Sequence, residues 1–268
     1  MIRFIKKHRS LVCQILFIII MHCIWETAAG LELLGPNSGL IFPSLEAVME
    51  AFVRNFVKGY AGLTLWVYVG NFMLLLLEGM MTGVILAFLF SGLSMISSIF
   101  HAVYNLIISV FDLLPGVALL PVVIIVFGVK PGVIVFLVVH AVVWPMSRNL
   151  LDGFKAVTRI YVEAGENIGL HGMSLLLGIY LPASVSYIIS GLKVGWARAW
   201  RGLISAEMIF GVAAMPGIGL FINQMRTNLK NAEMYATLLV IVIIGLVVQY
   251  GIFAPIENNT VKKWGMSK

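Results

Sequence analysis

Long apolar runs separated by short polar segments dominate this chain. A membrane-spanning helix needs roughly 20 apolar residues in succession, and the alternating ten-residue pattern of an outer-membrane barrel is absent. The pattern therefore predicts an all-α integral membrane protein with about six transmembrane helices. The predicted apolar segments are residues 11–25, 63–91, 97–128, 131–151, 179–204 and 235–254.

Residues 1–30 allow two interpretations. Basic residues at the start precede a short apolar run, and the small residues Thr27-Ala28-Ala29-Gly30 follow it. This order is typical of a cleavable signal peptide. It also fits an uncleaved first transmembrane helix whose N-terminus lies inside the cell, which is the interpretation we favour.

Residues 31–62 are of mixed polarity and predict an amphipathic segment on the outer membrane surface. A turn cluster at 35–39 precedes Ser44, which is a helix-start signal because of the acidic residues that follow it. The apolar residues of the helix predicted after Ser44 share one face. They are Leu45, Val48, Met49, Phe52, Val53 and Phe56.

Polar and helix-breaking residues interrupt the apolar blocks. The patterns Gly79-x-x-x-Gly83 and Gly191-x-x-x-Gly195 predict close contacts between helices. Asp112, Pro115 and Pro121 predict that the segment 97–128 is one kinked, locally open helix.

Three further side chains lie in or near these blocks. For Glu78 we favour a structural or interfacial role over an ion-coupling one. His101 and His140 are more consistent with hydrogen-bonded packing than with metal binding, because no second ligand lies at metal spacing beside either.

The longest polar-leaning interruption begins at Glu163 and ends at Pro182. Its charges and glycines could not be satisfied in hydrocarbon, so it predicts a short helix and turn at the membrane surface, which Pro182 closes. Its spacing E-A-x-x-x-x-G-x9-I-x-L-P resembles the signature of permease subunits of binding-protein-dependent ABC importers. The matching residues are Glu163, Ala164, Gly169, Ile179, Leu181 and Pro182.

The resemblance implies that the loop 160–178 is a coupling helix that docks into a cytoplasmic ATPase. At Gly165 the family has a second alanine, and this departure is expected to loosen the first turn. The implied ATPase-coupling residues are Glu163, Ala164, Gly165, Gly169, Ile179, Leu181 and Pro182.

A second stretch is similar to the nitrate, sulfonate and taurine branch of these permeases. Its matches are Gly195, Ala199, Trp200, Leu203, Ala206, Glu207 and Met208. The proline-rich stretch 114–121 also looks like the third-span segment of that branch, although the branch often has a basic residue where Asp112 stands.

The resemblance implies the type I ABC importer permease fold, with a dimer and a translocation path at its interface. Residues 63–258 would form the permease core and 259–268 a cytoplasmic tail. The implied partners are an ABC ATPase subunit, an extracytoplasmic solute-binding protein, a second permease copy and the lipid bilayer. The sequence contains no GxxxxGK[ST] loop, so ATP would be bound by another chain; we expect no enzyme activity, cofactor or metal here.

Two cations of the fifth predicted span suggest an anion path. Arg198 and Arg201 share one helix face, and together with Trp200 and Glu207 they are the candidate path residues. The alternative is that the arginines reach toward lipid headgroups or pair with Glu207.

The formal net charge of +6 is better explained by orientation than by nucleic-acid binding, because basic residues bracket the apolar spans. More of them fall on the predicted inner segments than on the outer ones. This bias predicts a multi-pass protein of a bacterial inner membrane with both termini in the cytoplasm.

The sequence thus predicts the permease subunit of an ATP-driven importer for a small, anionic solute of the nitrate, sulfonate or taurine kind. One alternative is an ABC importer of a pyrimidine-type vitamin precursor. Another is an ion-coupled secondary carrier that uses Glu78, Asp112 and Glu207. An intramembrane enzyme is a third possibility, but the sequence shows no recognisable catalytic constellation that would support it.

Overall fold

The structure is a computed structural model that describes residues 9–30 and 41–263, and within these ranges the chain is helical with no β-strand. The basic residues before Arg9, the turn cluster 35–39 and the tail after residue 263 lie outside the described residues. The helices are α1 (Arg9–Gly30), α2 (Leu45–Val57), α3 (Leu65–Ile96), α4 (Ser98–Phe111), α5 (Gly116–Phe127), α6 (Pro131–Ala156), α7 (Arg159–Asn167), α8 (Met173–Ala183), α9 (Val185–Phe210), α10 (Ile218–Thr227) and α11 (Asn231–Thr260).

Four helices of the described chain, namely α1, α3, α6 and α11, are long and apolar enough to cross a membrane. Two further pairs pass the same test together but are sharply bent, α4 with α5 by 98° and α8 with α9 by 74°. If each bent pair is one span, the chain has up to six spans. The predicted all-α membrane fold with about six transmembrane helices is confirmed.

The described chain divides into two compact units. The smaller unit ends at Trp66 and also includes Phe221–Ile241. In it, the predicted helix after Ser44 is α2, and the Ser44 hydroxyl accepts a hydrogen bond from the Ala47 amide at 3.3 Å.

The buried face of α2 is narrower than its apolar pattern predicts. Val48 and Ala51 pack against Ala236, whereas Met49 and Val53 are exposed. The pattern could not distinguish these positions, because it does not reveal how wide a surface the neighbouring helix covers.

Helix α1 is joined to the start of α2 by two hydrogen bonds within the same unit. The Trp25 indole N–H donates to the Pro43 carbonyl at 3.0 Å, and the Glu26 carboxylate accepts from the Leu45 amide at 2.7 Å. The segment that resembles a signal peptide is therefore a helix that makes specific polar contacts.

In the larger unit, α3 packs closely on α6 through its glycines. A Cβ atom at Gly79 would lie 2.5 Å from Val138 Cβ, and one at Gly83 would lie 2.9 Å from Val142 Cβ. Only hydrogen at these positions allows the two backbones to approach this closely. The predicted close contact of the first Gly-x-x-x-Gly pattern is confirmed.

Helix α9 packs on α6 through the second Gly-x-x-x-Gly pattern. A Cβ atom at Gly191 would lie 2.8 Å from Met146 Sδ, whereas one at Gly195 would be in ordinary contact with Val142 at 3.4 Å. The predicted contact is present, and Gly191 is its tight point.

The segment 97–128 is not one kinked helix, as the sequence predicted, but the two helices α4 and α5. Pro115 immediately precedes α5 and has an extended backbone. It has no N–H to donate the hydrogen bond that would continue α4. Pro121 lies inside α5 without ending it. The break thus falls at residues 112–115, and Asp112 is its first residue.

The fifth predicted span begins earlier than expected and is bent. Helix α8 already begins at Met173, and Pro182 lies within it instead of closing the preceding loop. A π-helical turn at Leu176–Tyr180 precedes Pro182, which has no N–H to continue the regular pattern. The 74° bend to α9 follows at Ser184.

Candidate functional site

The loop 160–178, which carries the first part of the signature, forms most of the short helix α7. Helix α7 packs against α8 through Gly165. A Cβ atom at Gly165 would lie 2.8 Å from Leu175 Cδ1 and 3.0 Å from Ile179 Cγ1. The glycine that was expected to loosen this turn therefore allows a close contact between helices. The structure brings together Gly165 and Ile179, two of the predicted coupling residues.

Gly169 ends α7 by adopting a left-handed conformation, with φ of +88°. Its amide donates to the Glu166 carbonyl at 2.9 Å, and the Leu170 amide donates to the Gly165 carbonyl at 3.0 Å. These two bonds are those of a Schellman motif, which strongly favours glycine at the left-handed position. The signature glycine thus fixes the end of α7 by its backbone.

The outward face of α7 is apolar although the segment as a whole is polar. Ile160 and Ile168 are 71% and 77% exposed, and Ala164 lies between them at four-residue spacing. Glu163 is paired with Arg159 at 2.6 Å beside this face. A short polar helix that exposes two isoleucines is suited to bind another protein.

The last two signature residues lie on α8. Leu181 is half-buried against the core cluster that contains Phe154 and Leu176, and Pro182 is exposed. The signature residues therefore divide into those that hold α7 and α8 in place and those that remain accessible.

The break between α4 and α5 opens a cavity of about 310 Å³ in the larger unit. Residues 111–117 form one side of it, and side chains of α6 and α9 form the rest. Arg198 and Arg201, both predicted path residues, line it together.

A single carboxylate connects two arginines beside this cavity. Asp112 accepts a hydrogen bond from Arg148 Nε at 3.2 Å and another from the Arg198 guanidinium. Arg201 has no hydrogen-bond or ion-pair partner within the described ranges. The cluster of three arginines and one aspartate therefore carries an excess of positive charge.

Three rings form an aromatic wall of the cavity. Phe111 stacks on Trp144 with centroids 5.2 Å apart, and His140 meets the Trp144 ring edge-on at 5.9 Å. In the part of the chain that the structure describes, His140 Nε2 and Trp144 Nε1 are buried without a hydrogen-bond partner. The wall is thus aromatic, and its two unpaired nitrogens lie beneath the accessible surface.

The structure does not bring the other two predicted path residues to this cavity. Trp200 is buried against Phe72 and Trp196, at centroid distances of 5.0 and 5.5 Å. Glu207 is also buried, and its Oε2 accepts from the Gly219 amide at 2.9 Å. Positions 200 and 207 are seven residues apart and so share a helix stripe that faces the core, not the cavity.

The pairing of the arginines with Glu207, one sequence-based alternative, is wrong. Arg198 pairs with Asp112 instead, and Glu207 accepts from an amide in the first turn of α10. The three carboxylates of the secondary-carrier alternative have separate environments, since Glu78 is exposed on α3. No group of three His, Cys, Asp or Glu residues among those described could hold a metal ion.

The contribution of α6 to this cluster was not predicted from the sequence. His140, Trp144 and Arg148 recur at four-residue spacing, which places them on one face of the helix. That spacing is a signal in the sequence that could have identified the shared face.

Comparisons with known proteins agree with the helical architecture. A family model described as "Binding-protein-dependent transport system inner membrane component" matches residues 79–256. The taurine transport system permease protein of Escherichia coli is 27% identical over 86% of this chain and 82% of its own length. The nitrate import permease protein of Leptolyngbya laminosa is 27% identical over 52% of this chain and 49% of its own length.

The family match covers well over half of the chain, including both bent helix pairs, α4–α5 and α8–α9, and the helices α6 and α7 between them. Together with the apolar helices, it makes this a multi-pass membrane protein and a component of a transporter. The chain belongs to the family of inner membrane components of binding-protein-dependent transport systems.

Proposed function

We propose that this chain is the transmembrane permease subunit of an ATP-driven importer for a small anionic solute. The observation that carries the proposal is α7, a short helix fixed at both Gly165 and Gly169 that presents an apolar face. The ATPase would bind this face, and its closure on ATP would move α7 and, through Gly165, the bent helix α8.

The apolar face of α7 fits a protein groove better than it fits water. Ile160 and Ile168 expose most of their surface, and each such side chain gains roughly 1.5–3 kcal/mol when fully buried. The small Ala164 between them leaves room for a partner side chain, while the ion pair of Glu163 with Arg159 stiffens the neighbouring face.

The proposed partners rest on the family description and on the sequence. Its sequence has no nucleotide-binding loop, so ATP would be hydrolysed by a separate subunit. The solute would be delivered by an extracytoplasmic binding protein, and two permease copies would enclose the path. With α7 facing the ATPase, both termini lie in the cytoplasm, which agrees with the distribution of basic residues.

An anionic solute is supported by the cavity at the break between α4 and α5. Arg198 and Arg201 line it, and guanidinium groups bind oxyanions through paired N–H donors. Relatives are named for nitrate, which is an anion, and for taurine, a zwitterion that carries a sulfonate, so both names involve an oxyanion group.

The docking role of α7 can be tested with the variant Ile168→Asp. We expect it to insert into the membrane normally but to lose co-purification of the ATPase, because a carboxylate would be buried in the groove. Leu229→Asp is the matched control, since Leu229 is also exposed and lies far along the chain from α7. Equal ATPase recovery with the two variants would contradict the docking role.

A further inference from the structure

We propose that Asp112 is a built-in competitor for the transported solute. Without solute it holds Arg198; when a solute oxyanion takes Arg198 and Arg201, the Asp112 carboxylate remains on Arg148 alone. This inference rests on the proposed function, because it assumes that the solute enters the cavity.

The geometry gives Asp112 two alternative partners on different sides of the cavity wall. Arg198 lines the cavity, whereas Arg148 pairs with the same carboxylate but does not line it. The side chain of Asp112 is only 13% exposed, while those of Arg148 and Arg198 are 45% and 41% exposed. A carboxylate that leaves Arg198 would therefore still have a charged partner and would not be stranded.

The position of Asp112 in the backbone makes such an exchange feasible. It lies at the end of α4, in the short break before α5, whereas Arg148 and Arg198 lie within the continuous helices α6 and α9. A change of backbone torsions at 112–115 would move the carboxylate without disturbing the packed glycine contacts of α6. Breaks of this kind commonly act as hinges.

The cavity offers positive charge to a solute oxyanion through Arg198 and Arg201. Of these two, Arg201 has no hydrogen-bond or ion-pair partner within the described ranges. The Asp112 carboxylate is the one acidic group among the residues that line the cavity. Removing it from Arg198 converts a neutralised pair into an anion site.

Two substitutions should act in opposite directions. Asp112→Asn removes the competitor, so the affinity for methanesulfonate should rise about tenfold, the usual size of one charged hydrogen-bond exchange. Arg148→Gln removes the alternative partner, so Asp112 holds Arg198 more firmly and the affinity should fall by about the same factor. In the double variant the Arg148 effect should disappear, because no carboxylate remains to be retained.

The measurement is binding of radiolabelled methanesulfonate to the purified permease–ATPase complex without the binding protein, with choline as the cationic control ligand. Asp152→Asn is the matched control, because Asp152 is an exposed aspartate on α6 and should leave the affinity unchanged. A thermal melt of each complex shows whether it has assembled. If Asp112→Asn fails to assemble, Asp112→Ser replaces it.

Three results would overturn the proposal. The first is that an assembled Asp112 variant binds methanesulfonate no more tightly than the unsubstituted complex. Failure to detect methanesulfonate binding to any variant counts as the same result. The second is a full Arg148 effect that persists in the double variant. The third is failure of both Asp112 variants to assemble, which would make the carboxylate a structural counter-ion. ATP-dependent uptake by the unsubstituted complex is measured in parallel, and its absence would refute the proposed function instead.

Discussion

Gly165 of α7 lies so close to Ile179 of α8 that a Cβ atom at residue 165 would be 3.0 Å from Ile179 Cγ1. Both residues lie in the segment from Glu163 to Pro182, and their contact joins the exposed helix α7 to α8, the first member of the bent pair α8–α9. A displacement of α7 by a partner would therefore be transmitted to α8 through this contact.

The size of residue 165 should decide whether that link works. Gly165→Ala should be tolerated, because the nearest atom that its Cβ would meet is the flexible end of the Leu175 side chain. Gly165→Leu should push α7 away from α8, so the ATPase still binds but solute no longer stimulates its activity. Solute-stimulated ATP hydrolysis measures the difference, and equal stimulation in the two variants would show that the contact is not part of the coupling.

Arg201 should matter for solute affinity and not for folding. It has no partner in the described residues, so Arg201→Gln should leave the melting temperature unchanged. Loss of one charged interaction with the solute should raise the KM of uptake about tenfold. Lys130→Gln, which removes a positive charge from an exposed position outside the cavity lining, is the control and should leave KM unchanged.

Glu207 should matter for folding and not directly for the solute. Glu207→Leu would leave the buried Gly219 amide without its acceptor, which should lower the free energy of unfolding by about 1–3 kcal/mol. Glu207→Gln keeps an oxygen acceptor and should be milder. Thermal melts in detergent distinguish these variants, and a large change in KM without a change in melting would return Glu207 to the translocation path.

The sequence could predict the features that depend on local pattern. The apolar blocks indicated the membrane helices, and the glycine spacing at Gly79 and Gly83 indicated a close helix contact that the structure confirms. Ser44 likewise predicted the start of α2. These signals are local, because each depends on residues within one or two turns of a helix.

The cavity could not be predicted in the same way. Asp112 is 36 residues from Arg148 and 86 residues from Arg198, and a single sequence does not reveal which distant side chains meet. The direction of the chain after Pro115 also decides which residues face the cavity, and hydropathy does not encode a bend of 98°. The four candidate path residues were therefore grouped by sequence proximity, and the structure separates them into cavity and core.

Solute uptake by the complete complex in proteoliposomes tests the proposed ATP-driven import directly. The complex would contain this chain, its ATPase and its binding protein, with radiolabelled taurine as the solute. We predict uptake that requires hydrolysable ATP on the ATPase side and that continues when ionophores collapse all ion gradients. Uptake that is driven by an ion gradient in the absence of ATP would contradict the account and favour a secondary carrier.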